Sequence, residues 1–220
     1  MKTTGIYIQS DLLSQMSEDE TVVLFQIFRI TNSLEFWMRL HLLIPKERNK
    51  VFDFRNRMEL YFALISIYKE SIKEFDNHLA TLLLDMNLSN DLKSRISQYT
   101  EWLSNWKKDE YLKVVDRIRN SLRFHLKPHI YKNYIKNGSE SKDLLIGIAD
   151  DKRYIDFLLT EPYTFEFLYI AEIVPDIPEK HKIDWIQERA IEETSKFLNL
   201  LREIIRELLK GHSYKKEIEI

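Results

Sequence analysis

No cysteine occurs anywhere in the 220 residues, which excludes disulfides and thiolate metal sites and fits a reducing compartment. Glycine and proline number four and five. With so few breaks and 31% charged residues, the natural reading is a chain of long, surface-exposed helices. Apolar runs are short: none approaches the roughly 18 residues of a membrane-spanning helix. The N-terminal MKTTGIYIQSDLLSQ has no continuous apolar core behind its lysine, so neither a membrane anchor nor a leader is expected, and the default expectation is a soluble cytoplasmic protein. Internal repeats, low-complexity tracts, Gly-rich phosphate loops and serine-nucleophile motifs are absent. Metal-ligand spacing is missing too. His78 has no second histidine at a helical ligand distance, and Glu161, Glu166 and Glu172 are scattered without one, so no metal or cofactor is expected.

The length suits a single domain over residues 1–220. Its class is all-α, an antiparallel bundle of long helices with a small irregular segment near residues 140–175. Ser17 before Glu18-Asp19-Glu20 marks a helix start, and Val22, Leu24, Phe25, Phe28, Leu34, Phe36, Trp37, Leu40 and Leu43 carry its apolar face to Pro45. A second long helix is expected over 51–86, a shorter one over 91–107 with Trp102 and Trp106 on its buried side, and another from near Asp109. Asn137-Gly138-Ser139 reads as a loop. Residues 142–174 read as two short helices around a turn, with a small hairpin near 154–159 as the alternative. The last helix is expected from Asp184 to Lys210, with Gly211 as its stop and a frayed tail from His212 to Ile220; residues 6–8 suit either a strand or a lead-in to the first helix.

What the chain has in concentrated form is positive charge over residues 117–136, RIRNSLRFHLKPHIYKNYIK. Six cations stand there with no acid until Glu140, on a chain of net charge −2, so the remainder carries −8. Phe124, Tyr131 and Tyr134 are interleaved with them, which supplies charge for phosphates and rings for bases. On a helix at 100° per residue, Arg119 and His125 project about 60° to either side of Leu122 and share one broad face, whereas Asn120 points nearly opposite.

The Arg119-Asn120-x4-His125 arrangement, with Phe124 before the histidine, resembles the signature of HEPN domains, helical bundles of which many are metal-independent endoribonucleases of toxin, defence and CRISPR-associated systems. The resemblance covers the motif and, more loosely, the all-helical layout. It implies that Arg119, Asn120 and His125 form a composite catalytic site across a homodimer, with RNA as substrate and an antitoxin as a further candidate partner. Family members with a tyrosine two residues after the histidine are modified there by a nucleotidyltransferase antitoxin; this chain has Lys127 at that place. Arg123 and His129 repeat the Arg-to-His distance, but with Phe124 in the polar position and Pro128 between them.

His125 can exchange protons near neutral pH, and Arg119 keeps its proton and suits bidentate phosphate contacts. His125 is therefore the candidate general base or acid and Arg119 the phosphate holder. Arg117, Arg123, Lys127, His129, Tyr131, Lys132 and Lys136 are the candidate RNA-binding set. Two other readings stay open: a non-catalytic helical protein that holds RNA, nucleotide or a partner on the same patch, and a purely structural protein whose cations are a solvated surface and whose His125 covers a helix end.

Overall fold

The computed structural model describes residues 2–8, 16–43, 50–105, 108–118, 146–147, 158–159, 179–210 and 213–219. The fold is all-α, as composition and periodicity require. Its helices are α1 Glu18–Leu43, α2 Lys50–Glu74, a π-helical turn Phe75–Leu79 running into α3 Ala80–Asp85, α4 Asn90–Ser104, α5 Glu110–Ile118 and α6 Glu179–Leu208. The chain divides into two compact units, one of residues 1–42, 67–106 and 191–220, the other of residues 43–66 and 107–190.

In the first unit, α1 starts where its sequence dictates. Ser17 Oγ accepts from the Glu20 backbone N–H at 3.2 Å, and Glu20 Oε2 accepts from the Ser17 N–H at 2.8 Å, a reciprocal capping box. The acidic first turn, Glu18 to Glu20, complements the helix dipole. The helix runs through Asn32 and Ser33 without a break. Its buried face, however, is Val23, Leu24, Ile27, Ile30, Thr31 and Leu34. Val22, Phe25 and Phe36, expected on the apolar face, are exposed. The reason lies in the runs Val22 to Phe25 and Ile27-Phe28, which put apolar residues nearly all round the helix, so periodicity alone does not choose the side.

Leu24 packs with Leu209, joined by Phe28, Ile205 and Leu208, and further along Glu35 Oε1 accepts from Arg202 Nε and Nη2 at 3.1 and 2.9 Å. As α1 ascends, α6 descends; the two are antiparallel. α4 is antiparallel to α6 as well, since Arg95 pairs with Glu203 while Tyr99 stacks on Phe197. Arg29 Nη2 donates to Glu74 Oε1 at 2.7 Å and ties α1 to the end of α2.

The centre of this unit is aromatic. Tyr99 lies parallel to Phe197 with centroids 5.2 Å apart, Phe75 meets Phe197 edge-on at 5.3 Å, and Tyr68 does so at 6.1 Å. The Tyr68 and Tyr99 hydroxyls are 3.3 Å apart, and Trp102 leans on Tyr99 at 5.4 Å. Trp102 is thus a half-buried core residue; Trp106 lies outside the described residues. The expected helix over 51–86 carries the π-helical turn at Phe75–Leu79, which the sequence does not signal because apolar spacings of three and four continue through it. His78 sits exposed on that turn. Leu82 of α3, apolar though it is, stands 38% exposed. On α6, Glu192 first and Glu193 next hold the Lys196 ammonium above its usual pKa.

In the second unit, α2 is buried on every side from Tyr61 to Ser66, and Ser66 Oγ donates to the Phe62 carbonyl at 2.7 Å. α6 begins directly after Pro178, five residues earlier than the acidic start at Asp184 suggested. It ends at Leu208, three residues before Gly211, with Leu209 and Lys210 in a closing turn.

Short strands also occur. β1 Lys2–Ile8 pairs antiparallel with β4 Ser213–Glu219, with Tyr7 opposite Tyr214 and Lys2 opposite Glu219. Residues 213–219 of the tail are therefore paired and not frayed: Ile6-Tyr7-Ile8 finds its strand partner at the far end of the chain, a pairing that no local window reveals. β2 Ile146–Gly147 and β3 Leu158–Leu159 form a two-residue antiparallel pair, where two short helices, or alternatively a small hairpin near 154–159, were expected. Apolar bursts too short for helix nucleation account for that difference. The rest of 142–174 lies outside the described residues.

Candidate functional site

α5 is the helix that leads into the basic segment, and its start is well determined. Asp109 Oδ1 accepts from the Leu112 backbone N–H at 2.9 Å, the side-chain cap expected of an aspartate at this place. The Asp109 carbonyl accepts the first helical bond from Lys113 N–H at 3.1 Å. Asp109→Ala should lower stability by about 0.5–2 kcal/mol in urea unfolding, with Asp109→Asn retaining most of it.

The apolar residues of α5 fall at helical spacing, so one side is buried: Tyr111, Leu112, Val114, Val115 and Ile118. Tyr111 is 1% exposed and anchors the helix. Trp185 of α6 meets its ring at 6.5 Å, nearly perpendicular, and the Arg189 guanidinium carbon lies 5.6 Å from the same ring centroid. Trp185 and Arg189 are one turn apart on α6, so one helical face supplies both contacts. The opposite side of α5 presents Glu110, Lys113 and Arg117 to solvent.

Arg117 is the member of the candidate set that lies within the described residues, an exposed cation in the last turn of α5, where it also complements the helix dipole. Arg119, Asn120 and His125, together with Arg123, Lys127, His129, Tyr131, Lys132 and Lys136, lie outside the described residues. The described structure therefore fixes the approach to the motif and not its constellation. Among the described residues, no three histidine, aspartate or glutamate side chains are grouped to hold a metal ion. Among them, too, no helix is long and apolar enough to cross a membrane.

Compared with family models, with curated proteins and with solved structures, the chain matches none.

Proposed function

We propose that the protein is an endoribonuclease of HEPN type, working in the cytoplasm in a toxin or defence setting and cutting RNA without a metal. The observation that carries this reading is the Arg119-Asn120-x4-His125 spacing inside an acid-free segment of six cations. Support comes from α5, which is capped and anchored immediately before Arg119 and turns Arg117 outward.

Cleavage by the neighbouring 2′-hydroxyl needs a base for its proton, an acid for the departing 5′-oxygen and positive charge on the phosphorane-like transition state. His125 takes the 2′-hydroxyl proton. Arg119 holds the non-bridging phosphate oxygens through its planar fork. Asn120 orients the histidine or the substrate. The 2′-oxygen bonds to phosphorus as the bond to the 5′-oxygen breaks, and a second histidine from the other subunit of a homodimer protonates that oxygen. The products are a 2′,3′-cyclic phosphate and a 5′-hydroxyl. The remaining cations, with Tyr131, hold the RNA strand, and any antitoxin would cover this surface.

The test is incubation of end-labelled single-stranded and structured RNAs with the protein in EDTA. Cleavage is expected. Salt-sensitive binding without any cleavage would instead favour a non-catalytic RNA-binding module.

A further inference from the structure

One side of α1 is buried in its unit, and the side directly opposite carries an apolar seam. Val22, Phe25 and Phe36 are 46%, 54% and 56% exposed, which is unusual for two phenylalanines on one helix face. The exposed positions of α1 are Glu18, Asp19, Val22, Phe25, Arg29, Asn32, Phe36 and Arg39, and apart from Asp19 they are spaced alternately by four and three residues. That is the 3.5-residue repeat of a helix–helix seam.

We infer that this face of α1 is a two-fold, antiparallel contact between two copies of the chain. The seam is complementary to itself only when reversed. Setting Phe25 against Phe36 of the copy places Arg29 opposite Asn32 and Val22 opposite Arg39. It also brings the acidic first turn, Glu18 and Asp19, within about one helical turn of the copy's Arg39. A parallel arrangement would instead stack Arg29 on Arg29, Arg39 on Arg39 and one acidic turn on the other. The central Arg29 charges are tolerated because each is paired with Glu74 of its own chain. A seam about 30 Å long gives an interface at the small end of the stable range, so association on the order of micromolar is expected.

This contact does not rest on the ribonuclease reading. The cysteine-free chain allows a direct test: full-length Phe25→Cys and Phe36→Cys proteins are mixed in equal amounts and oxidised gently with glutathione disulfide. The 25–36 cross-link should exceed both like-with-like cross-links by at least about tenfold. Across an antiparallel contact, two copies of residue 25 are about 16 Å apart, too far for a disulfide. A statistical mixture of the three products, or none, overturns the inference. In sedimentation, Phe25→Asp should weaken dimerisation at least about tenfold with unchanged circular dichroism. Undiminished dimerisation of that variant refutes the α1 contact while leaving a composite-site dimer standing; a wild-type chain that stays monomeric at about 100 µM, far above the expected micromolar range, refutes both.

Discussion

His125→Ala is expected to lower RNA cleavage by about 10²–10⁴-fold, the usual contribution of a positioned proton-transfer group. RNA affinity should stay within a few-fold, because the proposed phosphate contacts are those of the cations of residues 117–136. That separation of turnover from binding is what distinguishes a catalytic histidine from one that covers a helix end. Arg119→Ala should be equally damaging and should weaken binding too. Arg119→Lys should rescue little, since a point charge does not replace a bidentate fork. Thermal unfolding of each variant should match the wild type. Full activity in either alanine variant would show that the Arg119–His125 assignment is wrong.

Phe197→Ala should cost about 3–5 kcal/mol, the largest effect expected from one core substitution. Its ring is fully buried and touches Tyr68, Phe75 and Tyr99, which come from three separate elements. Removing it opens a cavity at the point where these elements meet and forfeits ring–ring terms of about 0.5–1.5 kcal/mol each. For a chain of this size the melting temperature should fall by roughly 6–20 °C. Phe36→Ala, a substitution of the same chemistry at a 56% exposed position, should stay within about 0.5 kcal/mol in the monomer. Equal losses at the two positions would contradict the burial pattern.

The contrast between Phe197 and Phe36 also shows how far the sequence could be read. Helix starts with a local chemical cause were legible: the Ser17–Glu20 capping box and the Asp109 cap stand where Ser, Asp and Glu signals put them. On α6, Ile186, Phe197, Leu198, Leu201 and Ile204 stand at the 3.6-residue period and are buried, while Ile191, Ile205 and Leu208, at the same period, are only half-buried. The face of α1 was not legible, because apolar residues surround that helix and only its neighbours decide which side is covered. The pairing of residues 2–8 with 213–219 was hidden for a different reason, since it joins the two chain ends and no window contains both. The candidate site was legible as residue types and spacing alone. Arg117, exposed at the end of an anchored helix, is its described foothold.

Metal-independent cleavage by 2′-hydroxyl attack leaves its signature in the chemistry of the RNA ends. Wild-type protein is incubated with a 5′-labelled RNA in EDTA, beside His125→Ala, and the fragments are resolved before and after treatment with acid and phosphatase. Only the wild type should cut, leaving 2′,3′-cyclic phosphates and 5′-hydroxyls. Fragments bearing 5′-phosphates and 3′-hydroxyls, or equal cutting by His125→Ala, would rule out 2′-hydroxyl attack assisted by His125.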